Sequence, residues 1–462
     1  MTLIKSISGI RGTIGGLPGD ALTPVDIVKF AAAYGTWVQS RKGKKVVIGR
    51  DARTSGEMVS NLVCSTLQGL GLDVFDLGLS TTPTVEMAVP LEKAGGGIIL
   101  TASHNPIQWN ALKLLNDKGE FISAAEGALI LDLVKDEKFI FAEVLKIGSY
   151  KKDDSYIDKH IALVKKYPLV DVRAIRKANF KIAVDAVNST GGTVVPKLLK
   201  ALGVKKIRKL YCEPTGIFPH NPEPLPEHLK EISKVVKKEK CDLGIVVDPD
   251  VDRLAFIQED GKAFGEEYTL VAVADYILRK KKGNTVSNLS STRALRDVTE
   301  KANGHYTAAS VGEVNVVNMM KETKAVIGGE GNGGIIVPDF HYGRDALIGI
   351  ALFLSHLAKS KLKASVLRAT YPPYFISKNK IELTPTINVD KVLEQMKAKY
   401  QHEKVNTLDG VKIDFEAEKE WVHLRKSNTE PIIRIYAESQ DPKKADALAT
   451  KIINDIQTII KS

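Results

Sequence analysis

The sequence predicts an α/β fold made of three similar units, followed by a smaller α+β domain. Short apolar runs alternate with stretches of helical period from residue 1 to about 370, a pattern typical of strands joined by crossover helices. A strand, a polar turn and a helix recur at residues 46–56, 182–192 and 285–292. After residue 370 the pattern changes, because Tyr371-Pro372-Pro373-Tyr374 interrupts the chain.

The first unit illustrates the repeat. The apolar run Lys45–Ile48 predicts a buried strand, and Ser55 is a candidate N-cap for a helix from Glu57 to Leu70. Two further strands are expected at residues 73–77 and 97–100. A sheet with this connectivity is mostly parallel and carries helices on both faces.

The length of 462 residues suggests three or four domains, at about 100–200 residues per domain. A linker is expected around Gly148–Asp154, and we predict domains at residues 1–150, 151–255, 256–370 and 371–462. In the last domain we expect a helix near Val389–Tyr400 and strands at residues 421–424 and 432–436. Its final helix should begin at Asp441-Pro442, a favourable N-cap and N1 pair.

Composition excludes several classes of protein. The chain is 44% hydrophobic and 26% charged, which excludes a disordered protein. It contains no apolar run of about 18 residues, so no membrane-spanning helix is expected. The opening MTLIKSISGIRG lacks the apolar core of a signal peptide. The three cysteines (Cys64, Cys212 and Cys241) form neither a disulfide framework nor a metal-binding pair, so we predict a cytoplasmic protein.

The net charge is +11, from 66 Lys and Arg against 55 Asp and Glu. Such a charge suits nucleic acid, an anionic membrane or small anionic substrates, and it also suits an ordinary lysine-rich surface. No aromatic-interleaved basic stripe or RNA-binding signature accompanies it. We therefore expect neither a nucleic-acid nor a membrane partner.

Three aspartates, Asp248, Asp250 and Asp252, alternate directly after the apolar run 243–247. Carboxylates this close repel one another unless a cation lies among them, and hard oxygen ligands suit Mg²⁺ or Ca²⁺. A calcium EF-hand is excluded, because Arg253 stands where glycine is required and a strand precedes the loop. The alternative to a metal site is a solvated acidic turn.

The segment Thr101–Pro106 follows another predicted strand, at the edge of the sheet where open α/β folds bind ligands. Ser103 is a candidate nucleophile or phosphate carrier, and His104 is a candidate base for it. No G-x-S-x-G elbow surrounds the serine. The alternative is a polar turn closed by proline.

The segment Gly329–Gly334 matches G-x-G-x-x-G, but a strand follows it instead of the helix that a dinucleotide site requires. We interpret it as a glycine-rich loop that holds Glu330 and Asn332 toward a polar ligand such as a sugar. A tight turn without a ligand is the alternative.

Basic residues cluster in three further places. The segment Arg425–Pro431, with Arg434 nearby, has the arginines, hydroxyls and loop amides that suit a phosphate, although a charged hairpin loop fits equally well. The turns Gly9–Gly12 and Arg50–Arg53 also contain arginines. For these two turns, ion pairs at the surface are the default expectation.

Taken together, four loops in this order, one per domain, resemble the α-D-phosphohexomutase family, whose members include phosphoglucomutase/phosphomannomutase and phosphoglucosamine mutase. The resemblance spans nearly the whole chain, and the loops at residues 101–106 and 248–253 are its most specific parts. It implies three similar mixed-sheet α/β domains and a C-terminal α+β domain around a central cleft.

The resemblance also implies roles for individual residues. Ser103 would carry a phosphate, and Asp248, Asp250 and Asp252 would bind Mg²⁺ together with that phosphate. Arg11 and Lys113 match positions near the phosphoserine, and Lys113 is the best available general acid or base. The residues implied to bind substrate are Arg253, Gly312, Glu330, Asn332, Arg425, Ser427, Asn428, Thr429 and Arg434.

The implied reaction passes a phosphoryl group from phosphoserine to a sugar monophosphate. The resulting bisphosphate turns over in the cleft and returns its other phosphate to Ser103, and a hexose bisphosphate is expected as activator. The protein is expected to be a monomer or a homodimer. A nonenzymatic anion or nucleic-acid binder and a metal-dependent phosphatase are the rival hypotheses.

Two departures from the family pattern bear on the substrate. The sugar loop of the family often reads G-E-x-S-G-H, whereas here Asn332-Gly333-Gly334 completes it. The stretch Ser310–Val314 lacks a histidine found in some bacterial phosphomannomutases, and its V-G-E pattern resembles phosphoglucosamine mutases. We therefore expect conversion of glucosamine 6-phosphate to glucosamine 1-phosphate, with broad phosphomannomutase/phosphoglucomutase activity as the alternative.

Overall fold

The computed structural model describes residues 2–6, 9–382, 387–426 and 432–461, which form four sheets. The predicted α/β class with a C-terminal α+β domain is confirmed. The three repeats of strand, polar turn and helix are present at the predicted places. No helix in the described part of the chain is both long and apolar enough to cross a bilayer.

The first sheet has the strand order β1-β2-β6-β5-β3-β4-β7 and is mixed, since β5, β3, β4 and β7 are parallel and the others antiparallel. Val46 and Ile48 belong to the core on one face, whereas Val47 belongs to the core on the other. The elements are β1 Leu3–Ser6, β2 Gly9–Thr13, α1 Pro24–Ser40, β3 Lys45–Arg50, α2 Gly56–Gly69, β4 Asp73–Leu79, α3 Thr82–Leu91, β5 Gly96–Leu100, β6 Trp109–Leu115, α4 Ala124–Asp136, a 3-10 turn Val144–Lys146 and β7 Tyr150–Lys152.

The segment predicted as a linker, around Gly148–Asp154, contains a short strand, β7, which pairs with β4 at the edge of the first sheet. The predicted domain limit at 150/151 thus falls inside a strand. Ser55 precedes α2, but its side chain makes no capping hydrogen bond, and its Oγ instead accepts from Asn110 Nδ2 at 2.9 Å.

The second sheet has the order β11-β10-β8-β9 and the third β13-β12-β14-β15. In both, three strands are parallel and one edge strand is antiparallel. The predicted limit at 255/256 falls inside β11. The elements are α5 Tyr156–Lys166, α6 Val172–Ala178, β8 Lys181–Asp185, α7 Gly191–Ala201, β9 Lys206–Leu210, a 3-10 turn Pro226–His228, α8 Lys230–Lys238, β10 Leu243–Val247, β11 Leu254–Gln258, α9 Glu266–Leu278, β12 Asn284–Asn288, α10 Ala294–Lys301, β13 Tyr306–Ala309, α11 Glu313–Thr323, β14 Ala325–Glu330, β15 Gly334–Ile336, α12 Ala346–Ser360 and α13 Ala364–Ala369.

The second and third sheets share one continuous apolar core. Phe256 of β11 stacks on Phe353 of α12 with ring centroids 3.8 Å apart, and Phe264 packs edge-on against both rings. Aromatic pairs of this geometry add to the stabilisation that burial alone provides. These two units therefore fold against each other and not as separate globules.

The fourth sheet is antiparallel throughout, in the order β16-β20-β19-β18-β17, and it has a core of its own. Its final helix begins as predicted, because Asp441 Oδ1 accepts from the backbone N–H groups of Lys443 and Lys444 at 2.8 and 3.1 Å. The elements are β16 Phe375–Glu382, α14 Val389–Lys399, β17 Lys404–Asn406, β18 Val411–Phe415, β19 Glu420–Lys426, β20 Ile432–Ser439 and α15 Pro442–Lys461.

One device recurs in the first three domains. The loops at residues 101–108, 248–253 and 331–333 each join two adjacent antiparallel strands: β5 to β6, β10 to β11 and β14 to β15. Such a connection lets the chain turn back at the end of a strand and present polar side chains beyond the sheet edge. This is how the predicted functional loops leave the core.

The third and fourth domains meet through polar contacts. Ser290 Oγ lies 2.8 Å from Nδ1 of His423, and Nε2 of the same imidazole lies 2.6 Å from the carbonyl oxygen of Asp409. The Lys412 ammonium donates to the carbonyl of Leu289 at 2.8 Å. Burial of His423 lowers its pKa to about 4, so this imidazole is neutral at pH 7.

We expect Phe353→Ala to destabilise the second and third domains together by about 3–5 kcal/mol, because it leaves a cavity in their shared core. Hydrogen exchange measured by mass spectrometry should increase in β10 and β11 as well as in β14 and β15. The control is Ile435→Ala, which truncates the separate core of the fourth domain. Faster exchange in only one of the two sheets would contradict the shared core.

The joint with the fourth domain should weaken at acidic pH. The pKa of His423 is lower in the folded chain than its ordinary value near 6.5, so the unfolded chain binds the proton first. Stability is complete above pH 6.5 and falls as pH decreases toward 4, by up to about 1.4 kcal/mol per unit. Denaturant unfolding at several pH values should show this slope, and His423→Gln should make it shallower. An equal slope in that variant would contradict the assignment.

Candidate active site

Ser103 lies in a tightly fixed turn between β5 and β6. Its backbone has φ 47°, a left-handed conformation that is uncommon outside glycine. The N–H of Ser103 donates to Thr101 Oγ1 at 2.9 Å, and the hydroxyl of Thr101 donates to Asp51 at 2.6 Å. The turn thus aims the Ser103 hydroxyl away from the sheet, toward the second domain.

Arg53 fixes the turn that contains Ser103. Its guanidinium pairs with Asp51 at 3.1 Å, and both side chains are fully buried. The expectation of surface ion pairs in this turn is therefore wrong. The remaining N–H groups donate to four backbone carbonyls of the serine loop, at 2.6–2.8 Å: Ser103, Asn105, Pro106 and Trp109.

The aspartate loop, residues 248–253, contacts the serine loop, residues 101–108, directly. The Ser103 hydroxyl donates to Asp248 Oδ2 at 2.7 Å, while Asp248 Oδ1 accepts from the backbone N–H groups of Asp252 and Arg253. Val251, in the same loop, is a buried β-branched residue whose backbone has φ 63°. A strained turn of this kind persists only where its surroundings hold it, which is common at functional sites.

The three aspartates fit a divalent cation. One carboxylate oxygen from each of Asp248, Asp250 and Asp252 lies within 4.8 Å of the others, and all three side chains are buried. Among the residues that the structure describes, Asp250 Oδ1 and Asp252 Oδ1 have no hydrogen-bond partner although both are buried. A buried oxygen without a partner is costly, and a hard cation is what such oxygens bind.

The second oxygen of each of these two carboxylates is already bonded. Asp250 Oδ2 accepts from Thr82 Oγ1 at 2.5 Å and from Lys113 Nζ at 2.7 Å. Asp252 Oδ2 accepts from Lys113 at 3.3 Å and from Arg344 Nη2 at 2.6 Å. Each carboxylate is thereby fixed with one oxygen free, an arrangement that favours monodentate ligation.

The charges around the aspartate loop shift the pKa values of Asp248 and Asp252 in opposite directions. Burial and the neighbouring carboxylates raise the pKa of Asp248. Burial also opposes ionisation of Asp252, but Arg344 and Lys113 overcome it and lower its pKa. For Lys113, burial disfavours the ammonium, yet Asp250 and Asp252 raise its pKa. Lys113 is therefore an ammonium here, held protonated by the two carboxylates.

His104 and Arg11 lie near the serine. His104 Nδ1 is 3.5 Å from Ser103 Oγ, and burial followed by the charge of Arg253 lowers its pKa to about 2. This imidazole is neutral and a weak base, which disfavours the predicted base role. Burial, followed by the charge of Arg253, also lowers the pKa of Arg11, so these two arginines face the same region.

Glu330 is bonded on both sides. Its Oε1 accepts from Asn288 Nδ2 at 2.8 Å and from the Gly312 N–H at 3.1 Å. Its Oε2 accepts from Arg344 Nη1 at 3.0 Å and from Asn332 Nδ2 at 3.5 Å. A carboxylate has about four lone-pair sites, so a sugar hydroxyl would have to displace one donor, and Asn332 makes the longest of these bonds.

The predicted phosphate-binding residues are only partly described. Arg425 Nε donates to both oxygens of Asp409, at 3.0 and 2.9 Å, and Asp409 also accepts from the Val311 N–H of the third domain. Arg434 is exposed and lies opposite Arg425 in the register of β19 and β20. Ser427, Asn428 and Thr429 lie outside the described residues. Arg253 pairs with Glu223 at 3.0 Å.

Sequence reasoning missed three residues of this site. Arg344 joins Asp252 to Glu330, Thr82 bonds Asp250, and Arg53 fixes the serine loop. Arg344-Asp345 is a charged pair directly before an apolar helix, a signal that could have marked it. A hydroxyl, three carboxylates and several cations gathered in one place suit phosphoryl transfer, in which positioning and charge stabilisation do most of the work.

Comparison with known proteins agrees with this chemistry. Profiles of the phosphoglucomutase/phosphomannomutase family match the chain in order: alpha/beta/alpha domain I over residues 3–141, domain II over 154–261, domain III over 265–374 and the C-terminal domain over 380–455. A Thermococcus kodakarensis phosphoglucomutase/phosphomannomutase is 37% identical over 94% of this chain and 95% of its own.

Two further proteins are similar along their whole length. A phosphoglucosamine/phosphogalactosamine mutase of Sulfurisphaera tokodaii is 32% identical over 98% of each chain. The crystal structure of a phosphoglucomutase/phosphomannomutase family protein from Burkholderia thailandensis has a TM-score of 0.84 at 26% identity, covering 99% of this chain and 98% of that one.

Replacing Arg53 with methionine should loosen the serine loop. The change leaves Asp51 as an unpaired buried charge, which costs about 3–5 kcal/mol of folding stability. Hydrogen exchange over residues 101–109 should increase, because four carbonyls lose their donor. Arg50→Met, in the same turn but partly exposed, is the matched control. Equal exchange in the two variants would contradict the anchoring role.

Proposed function

Because this chain belongs to the phosphoglucomutase/phosphomannomutase family, we propose that it interconverts hexosamine 6- and 1-phosphates through a phosphorylated Ser103. As a member of that family it is a mutase, which belongs to the isomerases. The observation that carries the residue-level proposal is the contact between the Ser103 hydroxyl and Asp248, because it joins the candidate phosphate carrier to the candidate metal ligands.

The transfer exchanges a phosphoryl group for a proton. The P–O bond to Ser103 Oγ breaks, and a new P–O bond forms to a sugar hydroxyl. Lys113 is the proposed donor of the proton that Ser103 Oγ gains, since its ammonium bonds the aspartate loop that the serine hydroxyl also contacts. The neutral amine then takes up the proton that leaves the sugar hydroxyl, so Lys113 ends the exchange protonated. The reverse exchange at the other hydroxyl returns phosphate to the enzyme.

The charge of the transferring group must be offset. Asp248, Asp250 and Asp252 are the residues that would hold Mg²⁺, and the unpartnered oxygens of the last two support this assignment. When bound, Mg²⁺ supplies positive charge that stabilises the transferring phosphoryl group. Arg11 and Arg253 add to it from the protein.

The phosphate that does not react needs a separate binding site. The proposed phosphate-binding residues are Arg425 and Arg434, on neighbouring strands of the fourth domain, together with Ser427, Asn428 and Thr429, which lie between them in the sequence. A bisphosphate released before it turns over would leave Ser103 without phosphate. A hexose bisphosphate is therefore the proposed activator that restores it.

Charge near the sugar loop favours an amino sugar. Glu313 and Glu330 flank the single guanidinium of Arg344, and Asp252 is its third partner. Lys113 also pairs with Asp252, so the surplus is the carboxylate by which Glu313 and Glu330 together exceed the one guanidinium, and it suits the ammonium group of glucosamine better than a neutral hydroxyl. The name of the Sulfurisphaera relative agrees with this choice.

Glucose and mannose phosphates are the second candidate substrates, favoured by the name of the Thermococcus kodakarensis relative. A phosphatase would require water to reach the phosphorylated serine. The nonenzymatic alternative is set aside, because the four matching domains are those of an enzyme family.

Ser103→Ala should reduce mutase activity below detection, because the proposed reaction passes through a phosphate on the Ser103 hydroxyl. Activity is measured with Mg²⁺, a bisphosphate activator and three substrates: glucosamine 6-phosphate, glucose 1-phosphate and mannose 1-phosphate. Glucosamine 6-phosphate should give the highest kcat/KM, and mass spectrometry should find phosphate on Ser103. The control is Ser40→Ala, at the exposed end of α1. Normal turnover by Ser103→Ala would refute the mechanism, and release of free phosphate without isomer would indicate a phosphatase.

A further inference from the structure

The glycine at position 334 makes room for a basic side chain from elsewhere. An ideal Cβ placed on Gly334 would lie only 2.4 Å from Cδ of Arg344 and 3.1 Å from its Cγ. Real Cβ atoms do not approach other atoms so closely, so position 334 and Arg344 cannot both carry a side chain in this arrangement. In the family loop pattern G-E-x-S-G-H, position 334 corresponds to the histidine.

Arg344 uses all three of its guanidinium nitrogens, each on a different carboxylate. Nε donates to Glu313 at 3.0 Å, Nη1 to Glu330 at 3.0 Å and Nη2 to Asp252 at 2.6 Å. The side chain is only 10% exposed. The planar guanidinium of Arg344 thus joins the aspartate loop of the second domain to the sugar loop, Gly329–Gly334, of the third.

The backbone beside Arg344 is fixed independently. Asp345 Oδ1 accepts from the first N–H groups of α12, at Leu347 and Ile348. Asp345 Oδ2 lies 2.9 Å from His160 Nε2 and 3.2 Å from His341 Nε2. The Arg344 side chain therefore starts from a rigid anchor, which an ordinary surface arginine lacks.

We propose that Arg344 is a positioning residue that supplies, from the start of α12, the basic group that other members place at position 334. It fixes Asp252 with Oδ1 directed away from the guanidinium and available to a metal, and it fixes Glu330 beside the sugar loop. This role concerns the same site as the proposed mutase reaction and rests on it. Metal binding and sugar binding are then linked through one guanidinium.

The first test measures metal binding without substrate. Arg344→Lys keeps the positive charge but cannot reach three carboxylates, so the dissociation constant of Mn²⁺, followed by electron paramagnetic resonance, should rise about 10–100-fold. Arg368→Lys is the matched control, since Arg368 stacks on Tyr268 and donates to the carbonyl of Phe264. Unchanged Mn²⁺ affinity in Arg344→Lys, or an equal loss in both variants, would overturn the proposal.

The second test exchanges the two positions. Gly334→His alone should lose activity by collision with Arg344, and Arg344→Ala should lose it by leaving Asp252 and Glu330 without their partner. The double variant Gly334→His/Arg344→Ala should regain at least tenfold in kcat/KM over Arg344→Ala. Gly334→Phe/Arg344→Ala, with a ring but no basic nitrogen, should not. Full activity of Gly334→His, no gain in the double variant, or equal gain with phenylalanine would each overturn the proposal.

Folding and function are separated by two controls. Thermal unfolding of every variant, recorded without metal, shows whether a loss comes from the folded protein, and Arg344→Lys provides the comparison where Arg344→Ala unfolds. If the wild-type protein converts none of the three sugar phosphates, the proposed function fails. The Mn²⁺ comparison between Arg344→Lys and Arg368→Lys still supports or overturns the role of Arg344.

Discussion

Charge repulsion within the aspartate loop is the constraint on which the arrangement of the first three domains depends. Asp248, Asp250 and Asp252 are fully buried, and carboxylates removed from water cost several kcal/mol each unless opposite charges replace their hydration. The replacement comes from outside the loop: Lys113 lies on β6 of the first domain, and Arg344 precedes α12 of the third. Since the loop lacks enough cations of its own, the three domains come together at the point where the chemistry is proposed.

The elements that could be predicted are those that local patterns specify. The strands β3, β4 and β5 are apolar runs, and α15 begins at an aspartate–proline pair, which favours a helix N-terminus. The strand β7 has no apolar pattern, because Tyr150-Lys151-Lys152 is exposed along its length, and its polar sequence is typical of a linker. Lysines protect an edge strand from pairing with other chains, and they also remove the alternation by which strands are recognised.

The same distinction applies to the site. Ser103 and the three aspartates stand out because their unusual neighbours in sequence are also their neighbours in space. Arg53 and Arg344 do not, because most of the carbonyls and carboxylates that bind them lie far along the chain, as Trp109 and Glu313 do. The residue type alone does not distinguish a buried arginine from a solvated one, and only the charged pair Arg344-Asp345 before an apolar helix offers a local signal. The surface ion pairs expected at Arg50–Arg53 were wrong for this reason.

The fourth domain is joined by contacts of a different kind. Its core is separate, and it meets the third domain through bonds such as Ser290 to His423 and Lys412 to the carbonyl of Leu289. Polar contacts exchange for water at small net cost, whereas parting the shared phenylalanine cluster would expose apolar surface at about 25 cal/mol per Å². By this argument, the joint before β16 opens more readily than the boundary between the second and third domains. In the proposed reaction the phosphate-binding residues lie in the fourth domain and the reacting groups in the first two, so opening at this joint would let a bisphosphate turn over while the reacting groups keep their geometry.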